Sequence, residues 1–321
     1  MKKMHEQHRE RVMVSSSNHD TLGPVTLRRT QRDRASIQKS WHNFFFREIP
    51  PHGLALIRIA LGLFLLVYWC VYLPRVVMLF SKDGIVIPYS DSTLLTPPSA
   101  SVAFAIYTAM LIPITALLLG WHMRTARILL CVAMLYYWLL SFHHFPSSYN
   151  RIILFVTFII AMSGADKTLS LRMRQSRGSW SASEMVAAWP LRILAIQITA
   201  LYLGVGLQKA YLPGWQGGEI ISYSFINAWS TPLAYHIARL NIPMGWYDLA
   251  AWMTKILHGV LPIGLWIPWM QRWCFVGAAL FHIVIALTMG MWWFLVLIPL
   301  YIAFVEPMQI QKLCRMVMSD E

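Results

Sequence analysis

The residues of this chain that could do chemistry sit on or beside apolar runs. In "YLGVGLQKAYLPGWQGGE", Gln208 and Lys209 close such a run four residues before Pro213, and Trp215 follows in the turn. A primary amine at that place has two readings. It is a lysine near a helix end that lays its stem on apolar surface and carries its charge to the headgroups. Alternatively, it is a partly buried amine that takes a proton from a bound molecule. Spacing alone leaves both open.

With about 3.6 residues per turn, Gln197, Leu201, Gly204 and Gln208 share one stripe of this helix, and Ile198, Tyr202, Val205 and Lys209 share the next. Two amides and a glycine on one stripe are expected to face other helices, because lipid cannot satisfy an amide. His258 and His282 lie inside later apolar runs. An imidazole there needs a hydrogen-bond partner, and a backbone carbonyl or a hydroxyl on another helix is the plain expectation. The sharper one groups both histidines with Lys209 as titratable residues of one site.

Arg58 and Arg192 fall in the first turns of their runs and are expected to reach the headgroups. "SFHHFPSSYNR" sets His143, His144, Asn150 and Arg151 near the loop between two runs. The two histidines are adjacent, which is not the i, i+4 spacing of a helical ligand pair, so no metal site is expected. Cys70, Cys131, Cys274 and Cys314 are far apart with no C-x-x-C pair, and no disulfide framework is expected. Without G-x-S-x-G, a P-loop, H-E-x-x-H or a dinucleotide fingerprint, phosphoryl transfer and zinc proteolysis lose their usual support.

The elements that must position these residues belong to a membrane protein. Of 321 residues 57% are hydrophobic and 13% charged, and the mean hydropathy is +0.51, a balance foreign to soluble domains. The net charge of +13 sits in short stretches between apolar runs rather than on one patterned surface. It therefore argues for topology signals and lipid headgroups, and against nucleic acid as a partner.

Residues 1–48 form a basic arm expected to be disordered to about residue 36, and a tail follows at 308–321. No signal peptide pattern appears near the start, so the first apolar run is expected to be an uncleaved anchor. Between arm and tail, runs of spanning length lie at about 53–79, 99–120, 125–143, 150–164, 189–212, 248–268, 273–290 and 292–306. The sequence thus predicts an all-α, polytopic transmembrane bundle of about eight spans, or seven if the last two, split only by "MGMWW", count as one. With eight spans and both termini in the cytosol, the basic loops all fall on the cytosolic side of a cell membrane, expected to be a bacterial inner membrane. Segment 213–246 then lies outside, where "EIISYSFINAWSTPLAYHIARL" predicts two short amphipathic helices, the second opening at Pro232 behind a Thr231 cap.

"LRILAIQITALYLGVGLQKAYLPGWQGGE" resembles the signature helix of the horizontally transferred transmembrane (HTTM) domain, the membrane part of vitamin K-dependent gamma-glutamyl carboxylase and its bacterial relatives. The points of likeness are Gln197, Tyr202, Gly206, Lys209, Trp215 and Gly218 in order, supported by "LALIRIALGL", "ADKTLSL", "LHGVLPIGLW" and "FHIVIALTMGMWWF". The likeness covers about residues 50–306, within a domain of 49–307.

By resemblance, Lys209 matches a lysine proposed as the base that drives oxygenation of reduced vitamin K on the luminal side. His258 and His282 match histidines of the same bundle. Asn150 aligns with an asparagine that precedes a histidine, whose place Arg151 takes here. The implied cofactor is a reduced quinone, and Gln197, Tyr202, Gln208, Trp215, Asn150 and Arg151 become candidates for a substrate or lipid pocket.

Two function classes follow. One is an enzyme in which a quinol or other lipid-like molecule meets Lys209. The other is a non-catalytic partner that holds a peptide or membrane protein on the outer face, with Trp229 and Tyr235 carrying the contact. Transport ranks last, because intramembrane acids are few and no repeated broken-helix pair is seen.

Overall fold

The computed structural model describes residues 36–143, 148–227 and 230–318. The chain divides into two units, Met1–Arg47 and Glu48–Glu321. In the first, residues 36–46 form a helix on which the Trp41 and Phe45 rings, one turn apart, lie 4.6 Å from each other. Residues 1–35 of the arm expected over 1–48 lie outside the described residues, as do His144 and Trp229.

The second unit is helical. In chain order come α1 (His52–Tyr72), α2 (Val76–Phe80), α3 (Ala100–Ala109), α4 (Leu111–Leu119), α5 (Met123–Leu140), α6 (Ser148–Met162) and α7 (Leu171–Arg177). They are followed by α8 (Trp189–Tyr211), α9 (Glu219–Ser224), α10 (Pro232–Arg239), α11 (Met244–Gly264), α12 (Pro268–Met289), α13 (Leu297–Leu300) and α14 (Pro307–Met318).

Local chemistry sets the ends of these helices. Proline lies in the first turn of α8, α10 and α12, where its missing N–H costs nothing. Thr231 caps α10 by accepting from the Ala234 N–H at 3.3 Å, as its sequence predicts. Gly290 ends α12 with φ 65°, a conformation suited to glycine. Pro213 keeps Leu212 extended, so α8 stops two residues after Lys209.

Among the described residues, five helices are long and apolar enough to cross a membrane: His52–Phe80, Ala100–Leu119, Met123–Leu140, Trp189–Tyr211 and Pro268–Met289. A sixth is reached if the bent pair Trp292–Phe304 and Pro307–Met318 counts as one span. By length and hydropathy alone, five or six of the expected eight are supported, and the full count is not confirmed. α6 has 15 residues, about 22 Å at the usual rise, short of a hydrocarbon core of about 30 Å. α11 is long enough, but Asp248, Thr254, Lys255 and His258 lower its hydropathy. The last apolar run is broken into 3-10 turns around α13.

Glycines let the helices approach. A Cβ at Gly62 of α1 would lie 2.7 Å from Leu118 Cα of α4, and one at Gly206 of α8 would lie 3.2 Å from the His258 carbonyl of α11. The core is continuous, running from Leu54, Leu61 and Leu65 of α1 through Leu130 and Tyr137 of α5 to Leu194 and Tyr202 of α8.

One end of the bundle carries Arg58, Arg172, Arg174 and Arg177. The starts of α1 and α8 are tied there by a two-residue antiparallel ladder, Glu48 opposite Ala187 and Ile49 opposite Val186. Arg58 belongs to this end, and it does not reach the headgroups as expected: it is fully buried and donates to the Leu169 carbonyl at 2.6 Å. Gly120, with φ 64°, makes the room, since any Cβ there would overlap the guanidinium. Nearby Asp166 is taken by Arg172 at 2.7 Å, which holds the Arg172 guanidinium above its ordinary pKa.

Candidate functional site

The other end carries the amine. Lys209, half-buried in the last turn of α8, turns its Nζ toward neighbouring helices. The nitrogen lies 3.5 Å from His258 Nε2 on α11, 4.3 Å from the centre of the Trp215 ring and 5.7 Å from that of Phe281 on α12. Among the described residues no carboxylate comes within ion-pair distance of it. Aromatic faces and an imidazole therefore surround the amine, and each can accept a cation or an N–H.

His258 has a defined tautomer. Its Nδ1 lies 2.7 Å from the Thr254 carbonyl one turn back, and a carbonyl only accepts, so Nδ1 carries the proton. The Nε2 lone pair is left facing Lys209. The helix thus orients its own histidine, and the close approach at Gly206 brings that histidine within reach of α8.

His282 forms a second knot beside the first. Its Nε2 lies 2.8 Å from the Tyr202 hydroxyl, which also bonds the hydroxyl of Tyr301. Its Nδ1 is buried with no hydrogen-bond partner among the described residues. The two knots touch edge to face: the Tyr202 and His258 rings are 5.5 Å apart, and Phe281 lies against both histidines at 5.2 and 5.3 Å.

A turn closes the site over Lys209. The Gly218 N–H donates to Asp248 Oδ1 at 2.7 Å, and a Cβ at Gly218 would overlap the backbone of Tyr247 and Asp248. That pairing pins the Pro213–Trp215 turn to the start of α11 and so holds the indole over the amine.

The other expected residues are placed differently. The stripe packed against neighbours is Ile198, Tyr202, Val205 and Lys209, whereas Gln208 is exposed and Gly204 borders open space. The expectation that the amides face helices is thereby reversed: the bulk of α11 sits on the Tyr202 side, where Gly206 admits it. Gln197 is half-buried but lies about 18 Å along the helix from Lys209, too far to share one ligand group.

Asn150 is buried in another cluster, with its Nδ2 donating to the Tyr68 hydroxyl at 3.3 Å. It lines a cavity of about 30 Å³ with Tyr68, Trp69 and Tyr137, while Arg151 is exposed. The link back runs through rings, Tyr149 on Phe294 at 6.0 Å and Phe294 on His282 at 6.1 Å.

These features lie on a stretch that the sequence pattern of the HTTM domain matches over residues 46–307. This chain belongs to the HTTM family. No curated protein and no solved structure matches it. The HTTM stretch holds both histidine knots, the Trp215 turn and the Asn150 cluster.

Tyr301, Phe281, Thr254 and Asp248 are parts of this HTTM site that sequence reasoning did not single out. Tyr301 sits in a broken apolar run that looks like filler. Thr254 had a usable signal, since it stands four residues before His258 on the same helix face.

Proposed function

We propose that this HTTM protein acts on a quinol or similar lipid-like molecule, with Lys209 as the base. The supporting observation is the surroundings of Nζ: aromatic faces and the lone pair of a neutral imidazole, with no carboxylate among the described residues to hold the amine as a permanent ion pair. In this reading a hydroxyl proton of the bound quinol passes to Nζ and leaves the quinol anion. Trp215 and Phe281 flank the ring, and His258 accepts from the amine to fix its direction. A reduced quinone is the cofactor that the likeness to vitamin K-dependent carboxylase supplies. The basic end of the bundle faces the cytosol, so Lys209 works at the outer face of a bacterial inner membrane.

The test is oxygen-dependent consumption of a reduced short-chain quinone by the purified protein. Lys209→Met is expected to abolish it at unchanged folded yield, and a variant that keeps the activity contradicts the assignment.

A second reading, a non-catalytic partner for a peptide or membrane protein, is favoured by the exposed aromatic and apolar side chains beyond Lys209. Tyr211, Tyr223, Leu240 and Trp246 are all more than 60% exposed. In that case Tyr235→Ala hurts function more than Lys209→Met does, and a partner co-purifies.

A further inference from the structure

The small cavity beside Asn150 is walled by three helices. Tyr68 and Trp69 come from α1, Tyr137 from α5, and Asn150, Ile153 and Leu154 from α6. Two of these side chains are buried with polar atoms that the fold leaves bare. Trp69 is 4% exposed and Tyr137 2%, and neither the Trp69 Nε1–H nor the Tyr137 hydroxyl has a hydrogen-bond partner among the described residues. The neighbouring hydroxyls are engaged elsewhere: Tyr107 donates to the Trp69 carbonyl at 3.0 Å, and Tyr68 accepts from Asn150.

A buried N–H or hydroxyl without a partner forfeits the hydrogen bonds it makes to water in the unfolded chain. Internal water commonly satisfies such atoms. Size selects that occupant here. The cavity holds about 30 Å³, room for two waters at about 10–15 Å³ each and far below the ~300 Å³ at which pockets for organic molecules begin. The chemistry of the walls agrees. An indole N–H only donates and a phenol both donates and accepts, so a water that accepts from Trp69 can donate to Tyr137. Packing fixes both rings: Trp69 stacks on Tyr107 at 5.2 Å, and Phe80 meets Tyr137 edge to face at 4.8 Å.

We propose that this cavity is a binding site for internal water, which accepts from Trp69 Nε1 and bonds the Tyr137 hydroxyl, and so ties α1 to α5 beside the short α6. The inference is independent of what Lys209 does.

Thermal unfolding of the full chain in detergent is followed for Tyr137→Phe, both in the wild-type background and with Leu154→Phe, whose larger side chain fills the cavity. If water bonds the hydroxyl, Tyr137→Phe lowers the wild-type midpoint by about 2–4 °C. In the filled background, from which the water has been expelled, that loss is expected to vanish or turn into a gain. The same change in both backgrounds, or a wild-type midpoint that Tyr137→Phe leaves unchanged or raises, overturns the proposal. A density map of the wild type that resolves ordered water decides the matter even where Leu154→Phe fails to fold. Water density is expected within hydrogen-bonding reach of Trp69 Nε1 and the Tyr137 oxygen, and a cavity without density, or one filled by an acyl or detergent chain, overturns the proposal.

Discussion

Lys209 Nζ faces the Nε2 lone pair of His258 at 3.5 Å, and the Nδ1 proton of the same ring is held by the Thr254 carbonyl at 2.7 Å. The amine therefore points across α8 into α11, away from the headgroups that a lysine near a helix end commonly seeks. An amine-reactive reagent is expected to label Lys209 several-fold more slowly than the exposed Lys82, as read from the modified peptides by mass spectrometry. Equal rates contradict the enclosed geometry.

The Tyr202 hydroxyl joins His282 and Tyr301. Tyr202→Phe leaves two buried polar atoms short of a partner and is expected to cost about 1–3 kcal/mol. Tyr301→Phe is expected to cost less once Tyr202 is already phenylalanine, which a double-mutant cycle on unfolding in detergent measures. Full additivity would show that the shared bond contributes nothing.

Gly206 sets the distance between α8 and the His258 backbone. Gly206→Leu is expected to force the helices apart, to destabilise by about 1–3 kcal/mol and to speed labelling of Lys209. Unchanged stability and labelling would mean that the glycine is not what brings the two residues together.

Asp248 holds the turn that carries Trp215, through the Gly218 N–H. Asp248→Ala removes a charge-assisted bond, expected to cost about 1.5–3 kcal/mol, and frees the indole. Trp215 is one of 15 tryptophans, so its release is best read as the emission difference between Asp248→Ala prepared with and without Trp215→Phe. No difference from the same comparison in wild type would contradict the coupling.

At the basic end, Gly120 and the Arg58 guanidinium compete for one space. Gly120→Ala is expected to destabilise by more than the ~1–2 kcal/mol of its left-handed backbone. In an Arg58→Ala background the part of the excess due to the guanidinium is expected to vanish, leaving the backbone cost and the closer approach to Ser170 Cβ, 2.5 Å from the added methyl. The same loss in both backgrounds would show that the overlap is not felt.

How much of this could be read from the sequence depends on the kind of signal. Hydropathy and basic loops give the membrane bundle, and residue types in order give the HTTM family, because both depend on local composition. The span count is less legible: α6 is apolar but short, α11 is long but polar, and Tyr301 lies in a run that breaks into turns. The face of α8 that packs lies one stripe from the one the sequence predicts, since the amides at Gln197 and Gln208 suggest burial and the deciding residue is the Gly206 that admits α11. Sequence position alone predicts a headgroup contact for Arg58, because its partner, the Leu169 carbonyl, is 111 residues away, and sequence spacing is blind to such a pair. The Lys209 and His258 pairing spans 49 residues. It was expected as a grouping, but its geometry depends on the close helix approach.

The most direct test of the account is mass spectrometry of the lipids extracted from the purified protein and from its Lys209→Met variant, prepared side by side. The account expects a quinone or a related ring-bearing lipid to accompany the wild type and to be lost from the variant. The same lipid at the same occupancy in both, or no such lipid in either, contradicts it.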